Sequence, residues 1–130
     1  MTIKQVSERY NITADTLRYY ERVGMIPPVH RSSSGIRDYT NDDLKWVELA
    51  ICMRSAGLPV EAMIKYVNLC HLGDETIEQR LQLLNNQLLV LLDQRKQIDE
   101  TIERLKNKIS VYENAVKTGS FDRDKCCCDC

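Results

Sequence analysis

Residues 13 to 24 read Thr13-Ala14-Asp15-Thr16-Leu17-Arg18-Tyr19-Tyr20-Glu21-Arg22-Val23-Gly24, and the reading of this stretch decides the fold. Thr13 suits the position before a helix, because its hydroxyl can accept one of the backbone N–H groups left orphaned at a helix start. Gly24 suits the position just past the end, where a chain commonly leaves a helix through a left-handed residue. The spacing therefore predicts a helix running to about Val23. Upstream, Ile3, Val6 and Tyr10 recur at helical spacing, so Thr2 to Arg9 reads as a short amphipathic helix, broken at Asn11 and Ile12. Two short helices joined by a tight turn make the helix-turn-helix pattern.

Working outward, Pro27 and Pro28 end any helical continuation. Residues 29 to 39 then read Val-His-Arg-Ser-Ser-Ser-Gly-Ile-Arg-Asp-Tyr. Two extended pieces around a Ser-Ser-Ser-Gly tip are the signature of a hairpin. Thr40 caps a third helix, with Asp42 and Asp43 in the first turn where the helix dipole favours negative charge. Its buried stripe is expected to be Leu44, Val47 and Ile51. Gly57 ends it, Pro59 opens a fourth helix over roughly 59–71, and Gly73 closes that helix off.

From Ile77 the pattern changes. Ile77, Leu81, Leu84, Leu88, Leu91, Arg95, Ile98, Ile102, Leu105, Ile109, Tyr112 and Val116 follow one another at steps of four and three without a slip. Residues 74–118 contain neither Gly nor Pro, so one helix, roughly 65 Å long at its usual rise, is expected. An apolar seam of that length needs a second chain to cover it, and the reading is a homodimer through a coiled coil, with Leu81, Leu84, Leu88, Leu91, Ile98, Ile102, Leu105 and Ile109 at the interface.

Composition narrows the class. The 130 residues are 43% hydrophobic and 28% charged, with only 5 Gly and 3 Pro, which favours a mostly helical globular chain over a turn-rich β-sandwich. No apolar run approaches a membrane span, and no apolar leader follows Met1, so a cytoplasmic protein without membrane contact is expected. The net charge of −1 conceals an asymmetry: residues 1–40 carry six basic and four acidic side chains, residues 74–130 nine and eleven. A polyanion responds to the local field rather than the sum, so the N-terminal end is the one suited to DNA.

The string Thr16-x-Arg18-Tyr19-Tyr20-Glu21, followed by Arg31 and Gly35-Ile36-Arg37-Asp38-Tyr39, resembles the recognition helix and wing of the MerR family of transcriptional regulators. Ala56-Gly57-Leu58, the fourth helix and the long helix continue the resemblance to about residue 118. The resemblance implies a winged helix-turn-helix DNA-binding domain over 1–73 and a dimerisation helix over 74–118 that forms an antiparallel coiled coil. A flexible Cys-rich tail over 119–130 lies outside it. It also implies a regulator rather than an enzyme: a dimer that binds a palindromic promoter operator and deforms it so that RNA polymerase can use the promoter. Thr16, Arg18, Tyr19, Tyr20, Arg31, Gly35, Arg37 and Tyr39 are the residues it assigns to double-stranded DNA. Physics gives them fitting roles: the second helix of such a motif enters the major groove, arginine contacts guanine or phosphate, and tyrosine hydroxyls reach phosphates. One of Tyr19 and Tyr20 is expected to pack inward, and Leu17 belongs to the core.

Six cysteines bear on the signal. Metal-responsive members of the family place a cysteine near the start of the dimer helix, where this sequence reads Gly73-Asp74-Glu75-Thr76-Ile77-Glu78. The run from Ala50 to Pro59 instead resembles the thiol- and aldehyde-stress subgroup, which implies Cys52 as the sensing thiol. A thiolate is the reactive form, and Lys45 or Arg54 would favour it if the fold brings either close. The plainer alternative makes Cys52 a small core residue, as packing does for Cys70. Cys126, Cys127, Cys128 and Cys130 could hold a soft metal ion, since thiolates select such ions, and a metal-responsive regulator sensing through this cluster is the alternative reading; no other cofactor is implied. A pure coiled-coil module leaves Arg31, Gly35 and Arg37 unexplained, and a thiol redox enzyme would want a Cys-x-x-Cys beside a βαβ pattern.

Overall fold

A computed structural model describes residues 1–120, and among them the regular elements are helices. They are α1 (Ile3–Tyr10), α2 (Ala14–Val23), α3 (Asn41–Ser55), α4 (Val60–His71) and α5 (Ile77–Thr118), with a short 3-10 turn at Asp74–Thr76 before α5. The mostly helical, winged helix-turn-helix class expected from sequence is the one observed.

The caps explain the boundaries. Thr2 and Gln5 form a reciprocal box at the start of α1: the Gln5 amide donates to Thr2 Oγ1 at 3.2 Å and the Thr2 amide to Gln5 Oε1 at 2.9 Å. Thr2 thus stands outside the helix it was expected to begin. Asn11 leaves α1 in the left-handed conformation. Thr40 and Asp43 repeat the box on α3, and Asp43 Oδ2 also accepts from the His30 amide at 3.2 Å, joining the wing's first arm to the start of α3. Gly24 ends α2 at φ +85°, where a side chain would be strained.

The described residues belong to two compact units, Met1–Leu88 and one beginning at Leu89. The core of the first is Val6 from α1, Leu17 and Tyr20 from α2, Met25, Ile26, Val29 and Tyr39 from the connecting segments, and side chains of α3 and α4. On α3 the buried positions are Leu44, Val47, Ala50 and Met53, while Ile51 is only half-buried. The stripe expected from sequence is therefore corrected at its last member. The run Leu49–Met53 is apolar throughout, so periodicity could not choose among its faces. The Trp46 and Tyr66 rings meet at 5.9 Å between α3 and α4, and Leu83, early in α5, is buried in the same unit.

The hairpin expected between the second and third helices is present and short. Among the described residues it holds one antiparallel bridge, Arg31 to Arg37, and no named strand. Its tip closes through Gly35 N–H to Ser32 O at 2.9 Å and Ser32 N–H to Ile36 O at 2.8 Å, with Gly35 at φ +83°. No alternating apolar face extends the ladder: Val29 packs inward, whereas Ile36 is 63% exposed.

In the second unit the described helix carries the later heptad positions, and Ile98, Ile102, Leu105 and Ile109 are all exposed. In the first unit Leu81, Leu84 and Leu88 are exposed likewise, and Leu91, past the unit boundary, is half-buried. No described helix is long and apolar enough to cross a membrane.

Candidate nucleic-acid interface

The outward side of α2 follows from its inward side. Leu17 and Tyr20 occupy i and i+3 and face the core, which leaves Asp15, Arg18, Tyr19 and Arg22 on the opposite side. At the helix start Thr13 Oγ1 accepts from the Thr16 amide at 3.1 Å and lies 2.8 Å from Thr16 Oγ1. Arg18 Nη1 donates to Asp15 Oδ1 at 2.8 Å on an open surface. The Arg22 guanidinium stacks over the Tyr19 ring at 5.5 Å, so a cation and a phenol are presented together.

Two of the residues assigned to DNA pack inward: Tyr20 is the member of the Tyr19–Tyr20 pair expected to do so, and Tyr39 departs from the expectation. Tyr20 is 7% exposed and Tyr39 only 3%, so both rings are core. Tyr20 is placed inward by its position one turn after Leu17. Tyr39 is drawn in by backbone pairing, its amide donating to the Met1 carbonyl at 2.8 Å. Among the described residues the Tyr39 hydroxyl is buried without a hydrogen-bond partner; burial raises its pKa, with smaller effects from Arg37 and Arg18, which lower it, and from Glu21 and Asp43, which raise it.

The wing is fastened to α2 by Glu21, which the sequence reading left out. Its Oε2 accepts from the Val29 amide at 2.8 Å and its Oε1 from Arg37 Nε at 2.7 Å, with Arg31 Nη2 at 3.8 Å. Burial works to raise the Glu21 pKa, but the Val29 and Arg37 hydrogen bonds and the charges of Arg37 and Arg31 outweigh it and hold the carboxyl below its ordinary range. Arg31 Nη1 donates to the Gly35 carbonyl at 3.0 Å. A signal for Glu21 did exist: it follows Leu17 by four residues, on the same face as the core positions.

Cys52 lies on α3 and is exposed, so the core reading does not hold for it. Neither expected cation is hydrogen-bonded to it: Arg54 Nη1 donates to the Leu58 carbonyl at 2.8 Å, and Lys45 lies 3.7 Å from Asp42. Cys70 on α4 is half-buried, with Arg80 Nη1 3.9 Å from its sulfur. Among the described residues no three His, Cys, Asp or Glu side chains gather to hold a metal ion. Cys126, Cys127, Cys128 and Cys130 lie outside the described residues.

A capped helix-turn-helix followed by an arginine-bearing wing defines the winged helix-turn-helix class. Residues 1–69 match the family described as "MerR HTH family regulatory protein". The regulator AdhR of Bacillus subtilis is 52% identical over 93 residues, which is 72% of this chain and 66% of AdhR, just under two thirds of that relative. A crystal structure from Listeria monocytogenes, described as a MerR family transcriptional regulator, superposes with TM-score 0.87 at 40% identity, over 92% of this chain and 90% of that one. HiNmlR, a MerR family regulator lacking the sensor domain and crystallised bound to promoter DNA, superposes with TM-score 0.82 at 32% identity, over 92% and 94%. The chain belongs to the MerR family of helix-turn-helix regulatory proteins, and it is a transcriptional regulator rather than an enzyme.

Proposed function

We propose that this chain binds a palindromic promoter operator as a homodimer and activates transcription by distorting the DNA in response to thiol-reactive stress, from aldehydes or oxidants, at Cys52. The observation that carries the DNA-binding part is the outward presentation of Arg18, Tyr19 and Arg22 on α2, with the wing arginines Arg31 and Arg37 fastened to the same helix. Arg18 and Thr16 are then the base-facing residues, while Tyr19, Arg31 and Arg37 meet phosphates, with Gly35 turning the wing tip. Tyr20 and Tyr39 act from the core, holding α2 and the wing in place. HiNmlR on promoter DNA supports this reading.

The dimer is an antiparallel coiled coil of two α5 helices, supported by the exposure of Leu81, Leu84, Leu88, Ile98, Ile102, Leu105 and Ile109. RNA polymerase on the same promoter is the partner served by the distortion, and the site of action is the cytoplasm. Deforming DNA makes part of the readout depend on its flexibility rather than on base contacts. The signal reading rests on the exposure of Cys52 on α3. Moving a two-state regulator from mostly inactive to mostly active takes about 5.5 kcal/mol of differential stabilisation, within reach of a covalent adduct.

The test is transcription from a promoter carrying an operator selected by the protein, with and without a reactive aldehyde, for wild type and Cys52→Ser. Induction in wild type and its loss in Cys52→Ser is the expected result. A Cys52→Ser protein that responds like wild type, with induction abolished by deleting residues 126–130, would move the sensor to the tail.

A further inference from the structure

Glu21 gathers the wing onto α2 with one side chain that is 12% exposed. Val29 N–H reaches Oε2, Arg37 Nε reaches Oε1, and Arg31 Nη2 lies beside the same oxygen. A guanidinium is a planar fork of five N–H donors. Arg37 spends its Nε–H on Glu21, and among the described residues no hydrogen bond engages either of its Nη atoms. Held by its inner edge, the fork keeps its outer nitrogens for a second acceptor in a fixed plane. Arg31 is steadied in the same way through the Gly35 carbonyl.

Such holding has two opposed consequences for DNA. An arginine fork suits the two oxygens of a phosphate, and a fork already oriented gives up little rotamer freedom on docking. The Glu21 charge meanwhile subtracts from the attraction of the wing for any polyanion. Because the wing is tied to α2, its phosphate contacts are all available only when α2 sits correctly in the groove. Phosphate contacts thereby help to enforce register.

We propose that Glu21 is a positioning residue for DNA specificity: it orients Arg37 and Arg31 for the backbone of the correct site while lowering their attraction for DNA of any sequence. This rests on the DNA-binding reading above.

The probes are a duplex selected by the wild-type protein from a random-sequence library and a scrambled duplex of equal length and composition. In Glu21→Gln the amide carbonyl can still accept from Val29, but the carboxylate charge facing the two arginines is gone. The affinity ratio of selected to scrambled duplex should fall several-fold, as expected for freeing the Arg37 side chain while the Gly35 carbonyl still holds Arg31. Affinity for the scrambled duplex should hold or rise, with a steeper salt dependence. Arg37→Lys keeps the charge but lacks the fork, so the same ratio should fall several-fold; this variant carries the test if Glu21→Gln does not fold. An unchanged ratio, or equal losses on both duplexes in a variant that melts like wild type, would overturn the proposal. A wild-type protein that selects no duplex would overturn the DNA-binding reading itself and this proposal with it.

Discussion

Arg37 Nε lies 2.7 Å from Glu21 Oε1, so residues sixteen apart in sequence join the wing to α2 by a charge-assisted hydrogen bond. The bond depends on an ionised carboxylate, which makes the domain's stability sensitive to acid. The Glu21 pKa is lowered from its ordinary 4.5 by the wing's donors acting against burial. A carboxyl with a depressed folded-state pKa contributes stability that is fully present above the unfolded value and is lost as pH falls through the folded one. Thermal melts of wild type should therefore fall off as pH drops below about 4.5, and Glu21→Gln should show a shallower fall. Parallel acid limbs in the two proteins would mean that Glu21 is not linked to folding.

Neighbouring residues on α2 should separate stability from binding. Leu17 is fully buried, and Leu17→Ala should cost about 2–5 kcal/mol in urea unfolding. Arg18 is exposed and, among the described residues, pairs only with the exposed Asp15, so Arg18→Ala should stay within about 0.5 kcal/mol of wild type. Equal losses in the two variants would contradict the orientation of α2.

How much of this was legible beforehand follows from the range over which each feature acts. Thr13, Thr40 and Gly24 act within one turn, and their caps were readable from residue type and position. The length of α5 was readable because a period of three and four persists over nearly six heptads without Gly or Pro. Glu21 was missed because its partners lie eight to sixteen residues away, across a turn that sequence alone does not close. Tyr20 and Tyr39 carry both a ring to bury and a hydroxyl to expose, and only the packing around α2 and the wing decides between them. The wing's hairpin was readable because its turn punctuation, Pro before it and Ser-Gly at its tip, acts over a few residues.

The seam makes a prediction of its own. Leu88 and Leu105 are 52% and 56% exposed in the single chain, so Asp at both positions should do little to the fold of either unit. Across a dimer interface the same changes would bury unpaired carboxylates, each costing several kcal/mol. Sedimentation of Leu88→Asp/Leu105→Asp at micromolar concentration should show monomer. A persistent dimer would move the interface away from this face of α5.

The most direct test of the α2–wing surface is the affinity of Arg18→Ala for a fluorescent duplex selected by the wild-type protein, measured beside a scrambled duplex. If Arg18 reads a guanine from the outward face of α2, the variant should lose about 1–3 kcal/mol of discrimination at that base pair while its melting stays that of wild type. Unchanged binding to the selected duplex by the folded variant would contradict the placement of α2 against DNA.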